Sequence, residues 1–197
     1  MAKKNHRRRR KNNANTGPKF ILGAGLVLIG LAAFLMLSGT KSTGASQPVS
    51  RSVTPMEVNY PAPELSLQNV NGKTESLKDF RGKVALVNNW ATWCPPCKAE
   101  MPTLKQYYDN HAPEGFVIVA IEAGDGKDQV AQFANNLDLK FHVWLDPDGS
   151  SLNAFGNSNL PNSYVIDRNG TIRYAWTGEI NLAMLERYVT PLIAESN

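Results

Sequence analysis

Cysteine and histidine are scarce in this chain: two cysteines and three histidines stand among 197 residues. The histidines, His6, His111 and His142, fall at no metal-ligand spacing, and two cysteines supply only half the donors of a structural zinc site. A resident metal is thereby set aside, and no cofactor is implied. Acidic residues are absent from the first 20 positions, which hold eight basic side chains: Lys3, Lys4, Arg7, Arg8, Arg9, Arg10, Lys11 and Lys19. The remaining residues carry 13 basic and 17 acidic groups, so the overall charge of +4 does not describe the globular part. Internal repeats are lacking too. A nucleic-acid reading of the basic block gives way to the residues that follow it, and no nucleic-acid partner is expected.

From Phe20 to Leu37 the chain is apolar and uncharged. Eighteen helical residues at ~1.5 Å each cover about 27 Å, close to the roughly 30 Å of a hydrocarbon core. With a basic block in front, the positive-inside rule keeps residues 1–19 in the cytoplasm and exports everything after the run. A cleaved signal peptide needs a small-x-small site close behind the run, and Thr43-Gly44-Ala45 is a poor and distant one. A lipoprotein needs a cysteine there, and none is present. Residues 20–37 therefore read as a single-pass, uncleaved signal anchor. Residues 38–60, rich in Ser, Thr, Gly and Pro, read as a flexible tether ending in the stiff Pro61-Ala62-Pro63 step. The domain proper is expected over residues 61–197.

Within it, Asn71-Gly72 between Leu65–Gln68 and Thr74–Leu77 predicts a hairpin. The apolar runs Val84–Val87 and Phe116–Ile121 predict buried parallel strands. A helix carrying Leu104 and Tyr107 follows the first, with a kink expected at Pro102. Asp128 is placed to cap a second helix bearing Val130, Phe133 and Leu137. Phe141–Leu145 predicts a short strand, and Tyr164–Asp167 with Thr171–Trp176 a second hairpin around Asn169-Gly170. One closing helix is expected from about Asn181 to Ala194. The order of elements makes an α/β domain with a mixed sheet.

Both cysteines lie in Trp90-Ala91-Thr92-Trp93-Cys94-Pro95-Pro96-Cys97. Thiol–disulfide exchange needs a thiolate to attack and a second thiol near enough to resolve the mixed disulfide. A Cys-x-x-Cys pair at a helix start meets both needs. Cys94 would sit where unpaired N–H groups and the helix dipole favour negative charge, and Cys97 would lie one turn inside as the resolving thiol. An ordinary cysteine titrates near ~8.5, and lowering that to about 7 makes roughly half of it thiolate at neutral pH. Pro95 and Pro96 suit a first turn, and each removes one N–H that could have bonded sulfur. Trp90 continues the strand into the core, whereas Trp93 belongs to the rim. Glu100, three residues after Cys97, reads equally as a solvated glutamate or as a buried carboxyl able to take up the Cys97 proton. Pro161, before the strand at Tyr164, reads by itself as a loop stop, and His142 as a satisfied strand residue.

The stretch from Gly82 to Pro102, around Trp-Ala-Thr-Trp-Cys-Pro-Pro-Cys-Lys-Ala-Glu-Met-Pro, resembles the TlpA/ResA type of membrane-anchored bacterial thioredoxin-like protein. The likeness runs from about Pro61 to Ile193 and includes Leu145-Asp146-Pro147-Asp148-Gly149, Leu160-Pro161 and Asp167-Arg168-Asn169-Gly170. It implies a thioredoxin fold, a mixed central sheet flanked by helices, with an N-terminal β-hairpin and a central insertion. It implies a redox-active Cys94–Cys97 disulfide, Glu100 as the acid beside it, and Pro161 as a cis-proline. Leu160 and Trp93 would then contact the incoming polypeptide. It further implies disulfide-containing exported substrates such as apocytochrome c, and a membrane electron donor of the CcdA/DsbD type. The bacterial cell membrane is the expected location. Three positions depart from the family pattern: Asn89 replaces an aromatic residue, Asn162 a threonine, and His142 a proline. A thiol peroxidase would carry Pro-x-x-x-Thr/Ser-x-x-Cys, and a copper carrier would space its cysteines by three with a later histidine; both patterns are missing.

Overall fold

The computed structural model describes residues 53–195. The basic tail, the expected anchor at 20–37 and most of the expected tether lie outside them. No helix among the described residues is long and apolar enough to cross a membrane.

Eight strands form one sheet in the order β1-β8-β7-β4-β5-β6-β2-β3. They are β1 (Met56–Pro61), β2 (Ser66–Asn69), β3 (Thr74–Ser76), β4 (Val84–Trp90), β5 (Phe116–Glu122), β6 (His142–Leu145), β7 (Asn162–Ile166) and β8 (Thr171–Thr177). The helices are α1 (Pro95–His111), α2 (Lys127–Asn136), α3 (Ser150–Phe155), α4 (Leu182–Tyr188) and α5 (Thr190–Ala194). Strands β4, β5 and β6 run parallel, whereas β7, β8 and β1 add antiparallel on the other side. The β2–β3 hairpin joins the β6 edge, with Gly72 at φ 83° in its turn.

Strand β4 is buried from end to end because the sheet is covered on both faces. Its side chains alternate between two cores, as the period of two requires. Val84, Leu86 and Trp90 pack with Met101, Leu104 and Tyr107 of α1 and with Leu185 and Leu192 from the closing helices. Ala85 and Val87 pack on the opposite face with Tyr164, Ile166, Leu77 and Phe80. The parity matters at the end of β4, where it sends Asn88 to the α1 face and Asn89 to the other.

Several sequence-based expectations change in detail. Strand β1 occupies Met56–Pro61, a stretch assigned to the tether; pairing with β8, rather than composition, makes it a strand. Helix α1, as expected, includes Pro102 within its length. Gly126, not Asp128, caps α2, and Asp128 lies in its first turn. The closing helix is two: the Val189 amide still bonds the Leu185 carbonyl, and Pro191, which brings no N–H, stands in the first turn of α5.

His142 fastens the hairpin. Its Nδ1 lies 2.9 Å from Glu75 Oε2, which also accepts the Trp144 Nε1 hydrogen at 2.8 Å. Burial pushes the Glu75 carboxyl up, but the bonds from Trp144 and His142 outweigh it and hold the group below its ordinary value. Glu75→Ala strands a buried indole donor and is expected to lower unfolding stability by about 1–3 kcal/mol, read as a shifted urea midpoint at constant slope. A carboxyl held low stabilises the fold above its unfolded pKa and loses that contribution as pH falls through its folded one. The variant's deficit should therefore shrink in acid.

Candidate active site

Strand β4 ends at Trp90, and the chain reaches α1 through Ala91-Thr92-Trp93. Trp90 is fully buried against Phe133, with ring centroids 4.8 Å apart, which seats the strand end. Trp93 is 64% exposed. Core and rim fall as the sequence suggests.

Cys94 caps α1, and its sulfur is joined to Cys97 in a disulfide with Cα atoms 5.3 Å apart. Pro95 and Pro96 hold the first two helical positions and bring no N–H. The first donor the helix offers is therefore the Cys97 amide, and it points at Cys94 Sγ from 3.4 Å. One hydrogen bond and the helix dipole are what this turn gives to a sulfur anion. Cys94 is 4% exposed and Cys97 0%, so Cys94 is the sulfur a partner can reach.

Glu100 lies one turn beyond Cys97 and is fully buried, which excludes the solvated reading. Its Oε1 accepts from Asn88 Nδ2 at 2.8 Å, and its Oε2 accepts the Ile180 amide at 3.0 Å. Burial pushes the carboxyl up to about 7; the Ile180 and Asn88 bonds pull against this, and nearby Glu179 adds repulsion. Asn88 also donates to Ser163 Oγ, 2.9 Å away and directly opposite in β7.

The Leu160–Pro161 bond is cis, as the resemblance implies. The Pro161 carbonyl accepts the Gly178 amide at 2.8 Å. The segment from Gly178 to Ile180 thus holds both the proline and the Glu100 carboxyl.

A carboxyl pair near the site, Glu122 and Asp125, has no counterpart in the sequence reading. Glu122 ends β5 fully buried, and its Oε2 accepts the Asp125 amide at 2.9 Å. Burial, with Asp125 alongside, pushes Glu122 up to about 8. Burial also works against Asp125, but bonds from Glu122 and Thr92 overturn it and leave that carboxyl below its ordinary value. At neutral pH, Glu122 keeps its proton and Asp125 is ionised. Asp125 Oδ2 then accepts the Thr92 hydroxyl at 2.6 Å and the Thr92 amide at 3.0 Å, tying down the loop in front of Cys94. The signal lay in Glu122 itself, an acid closing an otherwise apolar run.

A mixed sheet, a Cys-x-x-Cys disulfide capping the helix after its central strand and a cis-proline before the neighbouring strand define a thioredoxin-fold disulfide redox protein. The chain matches the AhpC/TSA family over residues 58–175. It is 33% identical over 163 residues to the thiol-disulfide oxidoreductase ResA of Bacillus cereus, covering 83% of this chain and 94% of that protein. ResA of Bacillus subtilis is 35% identical over 128 residues, covering 65% and 72% respectively. A solved thiol:disulfide interchange protein of the thioredoxin family from Chlorobium tepidum superposes with a TM-score of 0.63 at 29% identity, covering 71% of this chain and 99% of that one. The chain belongs to the AhpC/TSA family and, within it, to the ResA-type thiol–disulfide oxidoreductases.

Proposed function

We propose that the chain is a membrane-anchored extracytoplasmic enzyme that reduces disulfides of exported proteins, apocytochrome c among them. A membrane electron donor of the CcdA/DsbD type would return it to the dithiol form. The observation that carries the chemistry is a scarcely exposed Cys94 paired with an enclosed Cys97, with the buried Glu100 carboxyl one turn deeper. The apolar run behind a basic tail supports the anchoring.

In the dithiol form, the Cys94 thiolate attacks one sulfur of the substrate disulfide. The substrate bond breaks, one substrate thiolate leaves, and a mixed disulfide forms at Cys94. Cys97 then gives its proton to Glu100 and attacks Cys94 Sγ. The second substrate thiol departs, and the Cys94–Cys97 disulfide closes. Two electrons pass from enzyme to substrate. A carboxyl titrating at about 7 can both accept and return that proton near neutral pH. Trp93 and the Leu160–Pro161 edge present the surface on which the polypeptide lies.

Equilibration of the full-length protein with glutathione or dithiothreitol tests the direction. A potential near thioredoxin's, about −270 mV, is expected, and one near about −120 mV would overturn the reductive reading. A thiol reagent unable to cross membranes should label the reduced protein in intact cells. Labelling only after lysis would overturn the location.

A further inference from the structure

Asn89 and Asn162 both depart from the family pattern, and in the structure they are each other's partners. They stand directly opposite in β4 and β7, and Asn89 Nδ2 donates to Asn162 Oδ1 at 2.7 Å. Both are fully buried, as is Ser151 of α3, whose hydroxyl donates to Asn89 Oδ1 at 2.6 Å. Asn162 Nδ2 donates to two backbone carbonyls, Asn159 at 2.6 Å and Asn157 at 3.3 Å. Those carbonyls fix the direction of the whole chain of bonds. A carbonyl only accepts, so the Asn162 NH₂ must face the loop and its oxygen must face Asn89. Asn89 must then donate with its NH₂ and accept from Ser151 with its oxygen. Neither amide can turn over without leaving a buried polar atom unpaired.

The loop at the end of this chain of bonds leads into the cis-proline. Asn159 immediately precedes Leu160, so holding its carbonyl sets the plane of the Asn159–Leu160 peptide and hence the direction of the Leu160 N–H. A substrate polypeptide reads that direction by backbone hydrogen bonding; a small disulfide with no peptide bonds does not. We propose that Asn89 and Asn162 are positioning residues that orient the Leu160–Pro161 edge and thereby make the enzyme favour polypeptide disulfides over small ones. The inference rests on the docking role given to Leu160 and Pro161 above. It lies on the sheet face away from Glu100, so it is independent of proton handling.

The test compares full-length wild type with Asn89→Leu on two substrates, a single-disulfide peptide and 2-hydroxyethyl disulfide. Asn89→Leu should lower kcat/KM for the peptide by about 10-fold, through KM, while the small disulfide changes by less than about 2-fold and the Cys94–Cys97 potential stays in place. A parallel fall on both substrates, or no fall on either, would overturn the proposal. Should Asn89→Leu not fold, Asn162→Thr removes the two bonds to the loop directly and carries the same expectation. Pro161→Ala separates the two levels of the argument. If Pro161→Ala leaves the peptide preference untouched, the docking role itself fails; if it abolishes the preference and Asn89→Leu does not, only the positioning inference fails.

Discussion

Cys94→Ser should lower disulfide reduction by about 10,000-fold or more, whereas Cys97→Ser should stop the enzyme at a covalent complex. A hydroxyl at neutral pH offers almost no anion to attack sulfur, and loss of a nucleophile costs several orders of magnitude in comparable enzymes. The roles are not interchangeable. Cys97 is fully enclosed and Cys94 retains the only exposed surface of the pair, so attack begins at Cys94. With Cys97→Ser, the mixed disulfide at Cys94 has no internal thiol to release it. Non-reducing electrophoresis and mass spectrometry of the adduct check this. Undiminished turnover by Cys97→Ser, or an adduct that maps elsewhere, would contradict the assignment.

Glu100→Gln should slow release of the reduced substrate by about 100-fold and erase a rate step near pH 7. The same substitution has a signature in stability. Glu100 titrates at about 7 in the fold, above the ordinary 4.5, so the folded protein holds this proton more tightly than the unfolded one. Its contribution is complete below pH 4.5 and is lost as pH rises through 7. The loss reaches about 3 kcal/mol at one pH unit per 1.36 kcal/mol. Glu122, at about 8, acts with the same sign over a window reaching slightly higher. Denaturation midpoints of the oxidised wild type should therefore fall between pH 4.5 and 8. Glu100→Gln should keep only the part due to Glu122, and Glu122→Gln only the part due to Glu100. A wild-type profile flat across that window would show that neither carboxyl is held protonated by burial.

The cysteine pair was legible in the sequence because its spacing is local; Glu100, three positions further along the same helix, read equally as solvated or buried, and its burial depends on contacts distant in sequence. Apolar runs likewise marked β4 and β5, whose burial on both faces leaves no alternation to misread. What sets the surroundings is register, which single-chain patterns do not carry. Asn88 meets Ser163 across 75 positions and Asn89 meets Asn162 across 73. Two adjacent polar residues stand in an otherwise apolar strand, and parity puts one on each face. Strand β1 was hidden for the same reason, since Met56–Pro61 is largely exposed and acquires its conformation from pairing with β8.

That edge strand also fixes where the chain enters the sheet. Met56 faces Ala175, two positions from Thr177, which faces Asn162 and, through it, Asn89 at the cysteine end of β4. The polypeptide thus enters the sheet at the end carrying the sulfurs, three strand spacings or about 15 Å to one side. On the anchoring proposed above, the tether would join the domain beside the sulfurs and not at the opposite end of the sheet.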